Sequence, residues 1–400
     1  MLKTRLYKTI LTLIALLIMG NATAMTQVGN DTTATTHPIK VSLITYYPGN
    51  EVFEVYGHTE ILLTDSTGSY NINYGVFDFN SPNFITRYIM GETDYLCAIM
   101  PPRINAGIKE GRKMVEQNLN LTPSQAQRLW DLLAENVQPQ NREYRYRHFS
   151  DNCSTRARDI IESALGEQLD YTGCDFIVGK TLRQVLSYYT RNYAWDQFGI
   201  DLVMGAVCDT IIDARTQTFA PLFMMHAFES AMVMRDGKPT PFVTRSSVIV
   251  PGDDNGIVQP PTPWYITPMA AAIALLAITV LITLKDWRRR KVSRWFDTLL
   301  FTIAGLAGCI IFFIEFISTH EATMPNYNIL WLHPLLLLLA ILPWTKKASR
   351  LLKWCHWVNI ALIATMLVIW LSGLQAPNAA FFPIIGTLLM RSITAIKYTK

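Results

Sequence analysis

The chain has 400 residues, half of them hydrophobic and 16% charged, with a formal net charge of +4. Most of the basic excess sits in two short runs of the C-terminal half, so it reads as a topology signal and argues against nucleic acid as a partner. The sequence contains no phosphate-binding glycine loop, no C-x-x-C zinc spacing and no long-period repeat, so neither a cofactor nor a metal is expected.

Lys3, Arg5 and Lys8 precede an apolar run from Ile10 to Met19, and Ala22-Thr23-Ala24 supplies an A-x-A cleavage site. Residues 1–24 therefore read as an export signal, with an uncleaved anchor as the alternative. In either case residues 26–261 lie outside the cytoplasm, and residues 25–250 are expected to form one exported domain.

Within it, Val55, Gly57, Thr59, Ile61 and Leu63 alternate as in a strand entered at a glycine, which puts His58 at the strand's start. A second strand is expected from Tyr70 to Tyr74, carrying Asn71 and Asn73. Further on, YRYRHFSDNCSTRARDII (144–161) places Cys153 at the foot of an amphipathic helix. Asp151 and Asn152 before it are helix starters, and Ala157, Ile160, Ile161 and Ala164/Leu165 recur at helical spacing. A thiol in a helix's first turn meets the positive end of the dipole, and Arg156 and Arg158 add charge nearby, all favouring thiolate. Cys153 is thus the candidate nucleophile.

The other exported cysteines, Cys97, Cys174 and Cys208, lack such a setting. In an oxidising compartment the four would alternatively make two disulfides. A cysteine nucleophile needs an imidazole. His58 is the first choice and His226 the rival, since it follows the cysteine as in papain-order enzymes. However, it lies in the methionine-rich apolar run APLFMMHAFESAMVM, where a packed histidine is the plainer reading. His148 lines the approach or helps its aromatic–basic run pack, and His37 sits in a Thr-rich leader. The residue that orients the imidazole is Asn73 or Asn71, with Asn73 preferred. Oxyanion donors are expected from the amides after Cys153, with Tyr56, Asp151 and Asn152 as alternatives that supply such donors or position the helix.

PGDDNGIVQPPTP (251–263) reads as a linker. After it, residues 264–400 carry apolar runs long enough to span a bilayer. Five spans are expected, near Ile266–Leu284, Leu299–Ile317, Leu330–Trp344, Trp357–Leu374 and Ala379–Ile396, the last holding Arg391. Basic residues fill the loops 285–294 and 346–353, whereas 318–329 and 375–378 have none. The basic loops are then cytoplasmic and the others share a side with the exported domain. The outer loop after the second span holds His320, Glu321, Asn326, Asn328 and His333, candidates for binding a lipid head group or an incoming amine, or simply a polar interfacial loop. Glu315 in the second span is costly unless near the outer interface.

Three segments, VYGHTEILLTD, NINYGVFDFNSPNFITRYIMGETDYLC and YRYRHFSDNCSTRARDII, followed by several spans, resemble the bacterial lipoprotein N-acyltransferase family Lnb over the whole mature chain. The resemblance implies an α+β exported domain of permuted papain-like type, followed by an all-α membrane domain. It implies His58 and Cys153 as the catalytic pair, and leaves the third residue open. It further implies transfer of an acyl chain from a phospholipid donor to the N-terminal cysteine amine of a lipoprotein acceptor through a Cys153 thioester, at the bacterial inner membrane. The alternatives are a membrane-anchored cell-wall cysteine peptidase or amidase using the same pair, and a non-catalytic receptor with disulfide-bonded exported cysteines.

Overall fold

The computed structural model describes residues 38–399, apart from 50–53, 79–80, 102–107, 109–110, 172, 175–178, 255, 257–259 and 346–347. The expected export signal, His37, part of the linker and part of the second basic loop lie outside the described residues.

Strand and helix order in the first half is mixed. β1 (Lys40–Tyr46), β2 (His58–Thr64) and β3 (Ser69–Val76) precede α1 (Phe84–Met90); β4 (Asp94–Met100) and β5 (Met114–Leu119) follow. Next come α2 (Pro123–Asn136), β6 (Glu143–Arg145), α3 (Cys153–Leu165), α4 (Leu182–Thr190), α5 (Ala194–Val203), α6 (Ala214–Gln217) and α7 (Pro221–Ser230). β7 (Met232–Arg235), β8 (Lys238–Pro241) and β9 (Val243–Val250) close the domain. Among the described residues the main sheet has seven antiparallel strands in the order β6-β4-β3-β2-β1-β5-β9.

Alternation assigns the two faces of this sheet. Val41, Leu43, Ile61, Leu63, Ile72 and Tyr74 pack with Ala157, Ile160 and Ile161 of α3 in the main core. Ile44, Tyr46, Met114 and Val250 form a smaller cluster. His58 and Glu60 have the parity of this second face, because Tyr46 pairs with His58 and Ile44 with Glu60.

α3 starts where the sequence places it. Asn152 Oδ1 accepts from Ser154 N (2.8 Å) and Thr155 N (2.9 Å), and Thr155 Oγ1 accepts from Asn152 N (2.7 Å), a reciprocal cap. Such a cap contributes about 1 kcal/mol. Gly166 in the left-handed region ends the helix.

The second half is helical: α8 (Pro268–Arg289), α9 (Arg294–Phe316), α10 (Leu336–Ile341), α11 (Ser349–Ser372) and α12 (Phe381–Tyr398). Among the described residues three helices, α8, α9 and α11, are long and apolar enough to cross a membrane. The third expected span differs from a single helix. Pro334 and Pro343 have no N–H to donate, and the segment breaks into a 3-10 turn at Tyr327–Leu330, the six-residue α10 and a second 3-10 turn at Leu342–Trp344. In α12 Arg391 is fully buried, donating to Asp297 Oδ1 (2.5 Å), Asp286 Oδ2 (2.7 Å) and Thr283 Oγ1 (3.0 Å). It therefore ties α12 to α8 and α9, with Asp286 as part of this lock.

Both lysine- and arginine-free loops meet the exported domain, as the charge alternation requires. Asn326 Nδ2 donates to Leu202 O (3.0 Å), Asn328 Nδ2 to Asp201 O (3.1 Å) and Asn378 Nδ2 to Asp201 Oδ2 (2.8 Å), all at α5. The linker's end is pinned too, with Thr262 N donating to Asn192 O (3.0 Å). Glu315 lies at the outer end of α9, where Oε1 accepts from Asn326 N (2.9 Å).

Candidate active site

Strand and helix meet at one point. Thr59 Oγ1 and Ser154 Oγ are 3.1 Å apart, so the residues before them, His58 and Cys153, are brought together. Both line the same cavity, where the charge of each acts on the other and the Thr59 backbone also acts on the sulfur. Gly57 makes the strand's entry possible. Its φ of +79° is left-handed, and a Cβ there would sit 2.5 Å from Tyr46 O.

The other side of the imidazole faces a buried polar cluster. His58 Nε2 donates to Asn73 Oδ1 (3.1 Å), which also accepts from Gly75 N (2.6 Å), while Asn73 Nδ2 donates to Glu60 Oε1 (2.8 Å). The amide's orientation is thereby fixed, as is the tautomer with hydrogen on Nε2, leaving Nδ1 for the sulfur. Asn71 is not at the ring; its Nδ2 donates to Glu60 Oε2. Tyr46 OH donates to the same oxygen (2.5 Å). Glu60 Oε1 stands 3.6 Å from His58 Nε2, with its side chain fully buried.

Sequence patterning does not single out Glu60. The available signal is an acid two positions after His58 on the same strand face, in a run otherwise apolar. Burial alone would raise its pKa, but His58 and the donors from Tyr46 and Asn71 hold it below the usual carboxylate value. For His58, burial acts downward, but the Cys153 thiolate and then Glu60 lift it to about 10. Burial pushes the Cys153 thiol up, and the opposing His58 charge, its hydrogen bond and the Thr59 backbone bring it below its ordinary value. The two shifts point the same way, each group favouring the charged form of the other.

Two expected aids to the thiolate lie elsewhere. Arg156 is paired with Asp151 (2.9 Å) and lies 3.7 Å over the Tyr144 ring, and Arg158 bonds Thr218 Oγ1 (2.9 Å) and Arg215 O (3.0 Å). The charge that acts on the thiol is that of His58 and not of these arginines. The amides of Ser154 and Thr155 are likewise occupied by the cap, and Asn152 Nδ2 donates to His148 O (2.7 Å) and Phe219 O (2.9 Å). Tyr56 is different: its phenol lines the cavity, and burial keeps it protonated.

The cavity beside Cys153 is about 180 Å³, lined among others by Tyr56, His58, Asn73, Phe77, Tyr95 and His148. His148 belongs to this wall, where burial lowers its pKa to about 4 against the pull of Glu321. His226 is on α7, half-buried, and does not line the cavity. Cys97, Cys174 and Cys208 are buried free thiols, as is Cys153. Among the described residues no His, Cys, Asp and Glu cluster could hold a metal.

None of His320, Glu321, Asn326, Asn328 and His333 lines the cavity. Asn326 and Asn328 are buried and spend their amides on α5, while His333 is buried with its backbone against Gly308. His320 is exposed. Glu321 alone approaches the site: Oε2 accepts from Phe149 N (3.1 Å) and Ser150 N (3.3 Å), and Oε1 from the Ser150 hydroxyl. A carboxylate of the membrane half thus clasps the turn that leads into Cys153.

No curated protein and no solved structure matches this chain. Two family models do, for the Lnb N-terminal periplasmic domain over residues 30–188 and for the Lnb transmembrane domain over residues 261–400. They fall on the sheet-bearing half and the helical half in the expected order, and the chain belongs to the Lnb family.

Proposed function

We propose that this protein is a lipoprotein N-acyltransferase that moves an acyl chain from a phospholipid to the N-terminal cysteine amine of a lipoprotein. The observation that carries the reading is the convergence of His58 and Cys153 on one cavity, with Asn73 and Glu60 behind the imidazole, in a domain whose outer-loop contacts seat it on membrane helices. Membership of an acyltransferase family supports the reaction class.

In this mechanism His58 Nδ1 holds the thiol proton and the Cys153 thiolate attacks the ester carbonyl of the donor. The Tyr56 hydroxyl and the Cys153 amide act as donors to the tetrahedral oxyanion. Collapse breaks the ester C–O bond, and His58 protonates the departing lysophospholipid alkoxide, leaving a thioester. The lipoprotein amine then attacks, its proton passes to His58, and the C–S bond breaks to give the amide and regenerate the thiolate. Asn73 keeps the imidazole in the required tautomer and Glu60 stabilises its charged form.

The same reading takes the exported domain as a permuted papain-like fold, with histidine before cysteine. The helical half is a membrane domain of about five crossings, two of them supplied by the broken segment around α10 and by α12. The protein sits in the bacterial inner membrane with residues 25–250 in the periplasm, after removal of residues 1–24. Of the outer-loop residues, Glu321, Asn326, Asn328 and His333 act as supports, and exposed His320 is the one placed to meet a substrate head group.

The test is mass spectrometry of a lipoprotein N-terminal peptide from cells lacking N-acyltransferase activity, complemented with wild type or Cys153→Ala. An amide-linked acyl chain with wild type alone is expected. A chain gained with both proteins would reject Cys153, and a chain gained with neither, at equal expression, would reject the reaction in favour of a cell-wall hydrolase.

A further inference from the structure

The cavity at Cys153 is small. Pockets that enclose a drug-sized ligand measure roughly 300–1,000 Å³, whereas this one is about 180 Å³. It accommodates a reacting ester but not a long acyl chain, so the chain needs a surface of its own.

A line of rings leads out of the cavity. Tyr146 and Tyr95 stack at 4.3 Å between centroids, Tyr95 lies 4.9 Å from Phe77, Phe77 stacks on Phe84 at 6.2 Å, and Phe84 on Tyr88 at 6.1 Å. The first three line the cavity with Cys153, and the last two belong to α1. α1 buries none of its residues: Ile85 is 73% exposed, Tyr88 57% and Ile89 51%. Spaced i, i+3 and i+4, these three form one apolar face.

That face sits at the level of the outer end of a membrane helix. Thr319 N donates to Met90 O (2.8 Å), and Thr319 Oγ1 bonds Met90 O (3.0 Å) and Gly91 O (3.1 Å). Thr319 lies three residues beyond the end of α9 at Phe316. Gly91, at φ +77°, permits this approach, since a Cβ there would come within 2.8 Å of His320 N. An exposed apolar helix fixed at the outer interface of a membrane domain has lipid as its natural neighbour.

We propose that α1 and the ring line Tyr88–Phe84–Phe77–Tyr95–Tyr146 are the binding track for the fatty acyl chain of a membrane glycerophospholipid, guiding it from the outer leaflet to Cys153. The inference rests on the acyl-transfer reading above. α1 dips into the interface, the chain leaves the bilayer along the aromatic faces, and only its ester end enters the cavity.

The experiment uses the full-length protein in phosphatidylethanolamine/phosphatidylglycerol vesicles carrying a phospholipid with a diazirine at mid-chain. In the Cys153→Ala protein, irradiation should place adducts on peptides containing Phe77, Phe84, Tyr88 or Tyr95. The double variant Ile85→Asp/Ile89→Asp, altered only at exposed positions, should lose them. In active enzyme the same pair should lower the preference for long over short acyl donors about tenfold, the worth of roughly two methylene contacts. Acyl-Cys153 formation in wild type is measured in parallel. Adducts confined to the membrane helices, or an unchanged chain-length preference, would overturn the track while acylated Cys153 leaves the transfer reading standing. Absence of acyl-Cys153 would remove both.

Discussion

Replacing Glu60 by glutamine probes the least expected part of the site. Glu60 Oε1 is 3.6 Å from His58 Nε2 and its side chain is fully buried. At an effective dielectric of about 20, two unit charges at that separation attract by about 4–5 kcal/mol. The carboxylate already shares its charge among donors from Tyr46, Asn71 and Asn73, so about 1.4–2.8 kcal/mol of imidazolium support should be lost, about one to two pH units. The sign follows from the coupling. Less stable imidazolium means less support for the thiolate, so the Cys153 pKa rises toward its ordinary value. The assay is the rate of Cys153 alkylation against pH. The acid limb should move upward by about one to two units, with about 10- to 100-fold slower alkylation at a fixed pH on that limb. The substituted amide also turns a donor toward Asn73 Nδ2. The double variant Glu60→Gln/Asn73→Asp removes that clash and returns a negative charge to His58, so it should recover most of the lost reactivity. A Glu60→Gln profile superposable on wild type, in protein of unchanged melting temperature, would refute the role assigned to Glu60.

Variants at three other positions separate local causes. His226→Ala should retain most acyl transfer, measured as lipoprotein N-acylation, because its ring is outside the cavity. Gly75→Ala should strongly reduce activity and slow alkylation of Cys153: the new Cβ would lie 2.6 Å from His58 Cε1, an overpacking cost of about 1–3 kcal/mol. A thermal melt would show whether the fold survives. Glu321→Ala should lower kcat about tenfold with little change in KM, since it frees the turn before Cys153 by roughly the worth of one charged hydrogen bond. Glu321→Gln, which keeps an acceptor, should recover much of the loss. Equal kcat in Glu321→Ala would show that the clasp is idle.

Local chemistry was legible in the residues themselves. The Asn152 cap and the helical spacing after it placed Cys153 at a helix start, because capping involves neighbours only three positions apart. Gly57 and the alternation beyond it placed His58 on a strand for the same reason. Apolar run lengths and the positions of Lys and Arg gave the membrane half and the side on which its loops meet the exported domain, since hydrocarbon thickness and loop charge act on each segment separately. Two runs differ: two prolines break the third and leave the short α10, and α12 is not among the helices long and apolar enough to cross a membrane.

Contacts between distant segments were decided only by the tertiary structure. Glu60, 93 positions in sequence before Cys153, is one acid among many until strand pairing buries it beside His58. Arg391 is a charge within an apolar run until helix packing sets it between Asp286 and Asp297. Arg156 and Arg158 lie close to the thiol in sequence, yet a helix turns successive side chains about 100° apart, and each has another partner. Glu321 showed the same dependence: a sequence places it in an outer loop, but only the seating of one half on the other brings its carboxylate to the turn before Cys153.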